Sequence, residues 1–450
     1  MRRGLFAAVF TVIVFCLSVS AAQPKISLSS DKKDCICKKG ETVVLTINGN
    51  IPESGIKILM YQPNTAVKTL ELPAGKNSVS LVHPGGAVRF EAVPAVTEKT
   101  ASGRKKKTVL ASIGVIADPY SIRPGFTEPA DFQQFWDNAK AELAKVPVKA
   151  ERKEIAVTDN LIPKASSYFS YRVPVKMNEP TVLKGKFRCW DVKVDCVGGI
   201  PVSGYLTMPA DAKPKSLPAI VTFQGAGVKT ANKAFVSGAI RFDVNAHGIE
   251  NGQPPDYYRK LAAGKLKGYT AIGLDSRDKY YFRNMYLRVQ RALDYIKTLP
   301  EYDGKTLIVA GNSQGGGQTL VAAGLDPDVK LILASVPAMC DHGGILAGRI
   351  SGWPRLVNMK NGKVVNPEAA KTLPYFDAAF FAKRIKAEAY LTVGLIDVTC
   401  SPTSVFAAYN NIPGKKHITV LPYRGHRGTL SPAFIKRVQQ VVQKKTLNAK

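Results

Sequence analysis

Histidine is scarce in this chain. Five residues of that type stand among 450, so any chemistry that needs an imidazole has few places to occur. Acids are also under-represented, 34 against 63 Lys and Arg, which leaves a formal net charge of +29. Such basicity can mean a nucleic-acid partner, but zinc-finger spacing, an RNA-binding signature and a basic-zipper pattern are all missing. The longest basic run, Arg104 to Lys107, is short and reads as a solvated loop. Beyond the first residues no apolar stretch approaches the roughly 18 residues that a membrane-spanning helix needs. Cysteine and histidine never fall at metal-ligand spacing, so neither a metal nor another cofactor is expected. At 45% hydrophobic and 22% charged, disorder is excluded and a large core is possible.

The N-terminus reads Met1-Arg2-Arg3, then an apolar run from Leu5 to Val19, then Ser20, Ala21 and Ala22. A positive start, an apolar middle and a small-residue end are the parts of a secretory signal peptide. The reading assigns residues 1–22 to that segment, and predicts a secreted or periplasmic protein without stable membrane insertion. Setting Cys16 aside, Cys35, Cys37, Cys189, Cys196, Cys340 and Cys400 remain. An even number in an oxidising compartment permits disulfides, but a chain of this size does not need them; the pairing stays open.

From 23 to 117 short strands alternate with turn signals, as in Glu41 to Ile47, Gly55 to Tyr61, Ser78 to Val82 and Thr108 to Ile113. That spacing predicts a small β-sandwich, serving as a spacer or a sugar-binding module. The Pro-rich stretch Asp118 to Pro129 reads as a junction. Residues 118–450 then change texture. A helix is predicted over Asp131 to Leu143, and strands at Pro218 to Phe223, Arg241 to Asn245, Thr306 to Ala310, Leu331 to Ser335, Ala389 to Val393 and Ile418 to Leu421 alternate with amphipathic helices. The pattern specifies an α/β fold, a doubly wound and mostly parallel sheet preceded by the sandwich.

The strand ending at Ala310 runs into Gly311-Asn312-Ser313-Gln314-Gly315 and then into a helical segment. A G-x-S-x-G run alone is weak. Between a buried strand and a helix it means more, because a serine raised on so tight a turn needs small neighbours to leave its hydroxyl exposed. Ser313 is the candidate nucleophile. On such a sheet the acid and then the base follow in the chain. His426 lies in a loop just past the last strand, at the carboxyl end where α/β active sites collect, whereas His417 opens the same strand. Asp397 follows the preceding strand, with Asp341 as its rival and helix capping as its alternative role. For the oxyanion hole the candidates are the backbone N–H groups of Gln314 and Ala226, the latter in the loop Gln224-Gly225-Ala226-Gly227.

Asp131 to Trp136, Ser203 to Pro209, Lys279 to Arg283, Gly311 to Gly317 and above all Asp397 to Asn410 resemble the acetyl xylan esterase / cephalosporin C deacetylase family. The resemblance covers roughly Asp118 to Lys445 and leaves the sandwich outside. It implies an α/β-hydrolase fold and metal-free removal of acetyl groups from xylan, xylo-oligosaccharides or related acetylated saccharides, with Ser313, Asp397 and His426 as the matched triad. A homo-oligomer is possible. The chain departs from the family in three loops: Gln224-Gly225-Ala226 where a His-Gly-Tyr-like run is usual, Asn245 to Ile249 in place of an Arg-Gly-Gln-Gly-like one, and His426-Arg427 in place of His-Glu. Gln224 and His247 therefore stand as candidate substrate-binding residues. Other esters of acidic plant polysaccharides (pectin or glucuronate), a prolyl-oligopeptidase-like peptidase, and a polysaccharide-binding protein with an inactive hydrolase domain are the alternative readings.

Overall fold

The computed structural model describes residues 26–72, 75–96, 108–161, 182–427 and 431–448. The segment 1–22, expected as a signal peptide, and the basic run 104–107 lie outside them.

The N-terminal unit is built from two sheets. Ser27–Ser30, Thr42–Asn48 and Ser78–Val82 form a three-stranded antiparallel sheet. Five further strands, Ile36–Cys37, Ala111–Ala117, Ala87–Pro94, Ile56–Tyr61 and Lys68–Leu70, form the second in that spatial order. Strand alternation explains the packing: in Thr42–Asn48 every second residue is buried, and Ile56–Tyr61 shows the same period. Val43, Leu45 and Ile47 from one sheet thus share a core with Ile58, Val88, Phe90, Ile113 and Val115 from the other. The strand expected at 108–113 begins and ends three to four residues later. Its apolar stretch Ile113 to Ala117 is the buried part.

The larger unit holds one nine-stranded sheet. Its strands in chain order are β1 (Ala150–Ile155), β2 (Phe187–Val194), β3 (Val202–Pro209), β4 (Leu217–Phe223), β5 (Ile240–Val244), β6 (Tyr302–Asn312), β7 (Val329–Ser335), β8 (Glu388–Gly394) and β9 (Lys416–Leu421). They lie in the spatial order β9-β8-β7-β6-β4-β5-β3-β2-β1. From β4 onward the pairing is parallel, and β1 to β3 add an antiparallel edge. That edge was not legible beforehand, because β1 exposes four charged residues in a row and carries no apolar run.

The longer helices are α1 (Phe132–Ala144), α2 (Pro255–Ala263), α3 (Tyr281–Lys297), α4 (Gln314–Leu325), α5 (Pro402–Asn411) and α6 (Pro432–Asn448). They cover both sheet faces. Ile220, Ile308, Leu331 and Leu333 meet Phe434 and Val438 of α6. Their strand neighbours Val221, Val309 and Ile332 join Met285, Val289, Leu293 and Ile296 of α3 on the other side. This double covering is what a parallel sheet with continuous apolar strands demands. Because the chain adds β5 on one side of β4 and β6 on the other, the direction of winding switches between β4 and β6. Crevices at such switch points are where α/β sheets bind ligands.

The two units share one continuous core. The segment expected as a junction is clamped: Asn410 donates through Nδ2 to the carbonyls of Pro119 and Ile122, each at 2.9 Å, and the Tyr120 ring meets Phe406 edge-on at 5.6 Å. All six cysteines from Cys35 onward are buried free thiols. Among the described residues no helix is long and apolar enough to cross a membrane.

Candidate active site

Ser313 sits between β6 and α4 with φ 57° and ψ −121°, a left-handed strain that a non-glycine residue adopts only where the surroundings enforce it. Two glycines permit the turn. A Cβ on Gly311 would fall 2.1 Å from the Gly315 carbonyl oxygen, and one on Gly315 would fall 2.1 Å from that of Phe223. Strand, helix and the end of β4 are therefore packed backbone to backbone around the serine. Ser313 accepts main-chain bonds at its carbonyl from Gly317 and Ala338, and its own N–H donates to Ser335.

The loops after β8 and β9 converge on it. His426 Nε2 lies 2.9 Å from Ser313 Oγ, and His426 Nδ1 lies 2.8 Å from Asp397 Oδ2. With the Nδ1–H tautomer, the imidazole donates to the carboxylate and accepts from the serine hydroxyl. The other oxygen of Asp397, Oδ1, accepts from the main-chain N–H groups of Thr399 at 2.7 Å and Cys400 at 3.0 Å. The carboxylate is thus held at both oxygens in a fully buried position, an arrangement that fixes the ring's tautomer and favours a positive charge on it. The rival Asp341 is engaged elsewhere, accepting from the Gly125 N–H at 2.6 Å and from Arg349 at 2.9 Å. His417 stacks on Tyr390 at 4.6 Å, beside Glu388.

The loop from Gln224 lies against the elbow, with the Cβ position of Gly225 3.8 Å from Ser313 Cβ. Ala226 beyond it is exposed. The Gln314 amide belongs to the first turn of α4, where N–H groups have no partner within the helix. Behind the elbow stands a cluster that sequence reading found only in part. The Tyr269 hydroxyl donates to Gln314 Oε1 at 2.5 Å. His247 packs edge-on to Tyr269 at 4.6 Å, with Nδ1 2.7 Å from the Tyr281 hydroxyl. Burial, and second to it the Arg288 cation, push His247 down to about 4, so the ring is neutral. With 2% of its surface exposed, His247 backs the site and does not line it. Gln224 is also turned inward, its Nε2 donating to the Thr230 carbonyl at 2.7 Å, which ties its own loop together. No local motif marks Tyr269. Tyr281 stands inside the aromatic run Tyr280 to Phe282.

Cys400, inside the Asp397 to Asn410 segment that carries the family resemblance, is a neighbour of the site. Burial and the Asp397 carboxylate raise its thiol well above the ordinary value, and Ser313 offsets this in part. Asp397, Cys400 and His426 have ligand atoms within 4.8 Å of one another. As a metal set they fit poorly, since both imidazole nitrogens are already committed and the thiol holds its proton.

A family model described as acetyl xylan esterase (AXE1) matches residues 170–444, more than half of the chain. The chain belongs to the acetyl xylan esterase family. Among curated relatives of this acetyl xylan esterase family member, it is 32% identical over 316 residues to the acetyl esterase Axe7A of Xylanibacter ruminicola, a match covering 68% of this chain and 66% of that protein, just under two thirds of its length. An acetyl xylan esterase from Paenibacillus sp. R4 is 27% identical with a TM-score of 0.54, covering 72% of this chain and 98% of its own. The fold is shared as well with acetyl xylan esterase 1 from Thermoanaerobacterium sp. JW/SL YS485, at 24% identity and a TM-score of 0.54, covering 73% of this chain and 97% of that one. Nucleophile elbow, acid loop and His426 all lie inside the family match, and the N-terminal unit lies outside it.

Proposed function

We propose that the chain is a serine esterase that removes acetyl groups from xylan, xylo-oligosaccharides or related acetylated saccharides, and that it works outside the cytoplasm after loss of residues 1–22. The observation that carries the reaction class is the aligned chain Ser313–His426–Asp397, with contacts of 2.9 and 2.8 Å. Family membership supports the substrate class.

In the first step Ser313 Oγ attacks the acetyl carbonyl carbon while His426 Nε2 takes the hydroxyl proton. The imidazolium is stabilised by Asp397. Negative charge gathers on the carbonyl oxygen, which the amides of Gln314 and Ala226 would bind. As the C–O bond to the sugar breaks, His426 returns its proton to the leaving alkoxide, giving a free saccharide hydroxyl and an acetyl group on Ser313. Water, deprotonated by the same imidazole, then attacks the acetyl-enzyme. Acetate leaves and the serine is restored.

The test is acetate release from acetylated xylan and from acetylated xylo-oligosaccharides by the wild type and by Ser313→Ala. Release by the wild type alone is expected. Equal release by both proteins would end the reading. The charge of +29, which becomes +27 once Arg2 and Arg3 are lost with residues 1–22, favours, within the same chemistry, a polymer bearing carboxylates. In that case release from acidic xylan falls steeply with added salt while release from a neutral acetylated sugar does not.

A further inference from the structure

Tyr61, Arg89 and Gly114 stand in one row across the five-stranded sheet, Tyr61 paired with Arg89 and Arg89 with Gly114. Their strand neighbours Met60, Val88, Phe90, Ile113 and Val115 are buried inside the sandwich, so by alternation the row lies on the sheet's other face. That face is turned to the larger unit. At the Gly114 end it is sealed, since a Cβ there would fall 2.4 Å from Leu395 Cβ.

At the Tyr61 end it opens into a pocket of about 280 Å³ between the units. One wall carries Tyr61, Gln62, Asn64 and Arg89, and the facing wall is the acid loop through Asp397 and Val398. The Arg89 guanidinium lies 4.2 Å from the centre of the Tyr61 ring and pairs with Glu91 at 3.3 Å, so the ring is held as a fixed surface. A flat aromatic ring with planar polar groups beside it suits a sugar, whose C–H face packs on the ring while its hydroxyls meet amide and guanidinium. The volume lies just below the range of about 300–1,000 Å³ for pockets that take drug-sized ligands, the size for one sugar ring. The wall from the sandwich lies outside the family match, which begins at residue 170.

We propose that this pocket is a saccharide subsite, in which the N-terminal unit holds a sugar ring of the polymeric substrate beside the acid loop. The inference rests on the esterase reading above. It gives the sandwich a part in choosing polymer over small ester.

The test compares Tyr61→Ala, Tyr61→Phe and Arg89→Ala in the full chain, on acetylated xylan and on 4-nitrophenyl acetate. Tyr61→Ala should raise KM for the polymer by about ten-fold, the size of one lost ring contact, and leave 4-nitrophenyl acetate unchanged. Tyr61→Phe, which keeps the ring, should stay close to wild type on both. A parallel loss on both substrates would overturn the subsite and leave Tyr61 as a support of the acid loop. Unchanged polymer kinetics would overturn it as well. A wild type that cleaves 4-nitrophenyl acetate but releases nothing from acetylated saccharides would remove the substrate reading, and the subsite with it, before any variant is compared.

Discussion

The N–H of Gly114 donates to the carbonyl of Pro422 at 2.9 Å, joining the edge of the sandwich to the loop that carries His426. The same glycine lets Leu395, two residues before Asp397, lie directly on the sheet. One residue of the N-terminal unit thus braces both loops that bring acid and base to Ser313. Gly114→Ala places a Cβ 2.4 Å from both the side chain and the carbonyl oxygen of Leu395, and neither backbone can yield freely. Overpacking of this kind costs about 1–3 kcal/mol. Calorimetry should show a lower Tm, and kinetics on 4-nitrophenyl acetate should show a fall in kcat larger than any rise in KM. Wild-type values for both would mean that the sandwich does not brace the site.

Asp397→Asn keeps an acceptor for the Thr399 and Cys400 amides, so the loop should hold its shape. What it loses is the carboxylate facing Nδ1, and with it the tautomer that leaves Nε2 free to accept a proton. In a triad that substitution lowers kcat by about 10⁴. Steady-state kinetics with circular dichroism should show the loss of rate in a folded protein.

Removing the Tyr269 hydroxyl leaves Gln314 Oε1 buried and without its donor, beside an Nε2 that already has no partner among the described residues. An unsatisfied buried polar atom costs about 1–3 kcal/mol. If the Gln314 amide belongs to the oxyanion hole, part of that cost appears in the transition state. Tyr269→Phe should lower kcat by roughly ten-fold with little change in KM, and weaken inhibition by a boronic acid that mimics the tetrahedral intermediate. Unaltered boronate affinity would contradict this placement.

Buried imidazoles tie stability to pH, and burial lowers His83, His247 and His342 alike. Burial lowers His247 to about 4 and His342 to about 3, from 6.5 in the unfolded chain. A histidine depressed on folding is neutral in both states above 6.5, so its contribution is complete there. As pH falls below 6.5 the unfolded chain takes up the proton first, and stability declines until the folded value is reached. Asp377, raised by burial to about 7, acts in the opposite sense over the same window, gaining stability as pH falls. The His247 part is therefore read as a difference: between pH 6.5 and 4 the wild-type urea midpoint should fall relative to that of His247→Gln, which cannot titrate at this position, and a constant difference would speak against it.

Much of the hydrolase unit was legible in the sequence because its parallel strands are buried on both faces and read as apolar runs. The Ser313 turn could be read because its neighbours must be small, and His426 beside it because few histidines compete with it. The antiparallel edge was not legible: β1 exposes four charged residues in a row and shows no apolar signature. Nor was the support behind Gln314, since Tyr269 and His247 meet across loops far apart in the chain and neither follows a periodic pattern. The role of the sandwich was hidden for a related reason. Gly114 looks like any strand glycine until Leu395 is placed against it.

The most direct measurement is peptide mapping by mass spectrometry after rapid acid quench of the enzyme turning over 4-nitrophenyl acetate. The account predicts an acetyl group on the peptide containing Ser313, appearing in a burst with 4-nitrophenol and absent from Ser313→Ala. Turnover by pure wild type without any acetyl on that peptide, together with activity retained in Ser313→Ala, would contradict it.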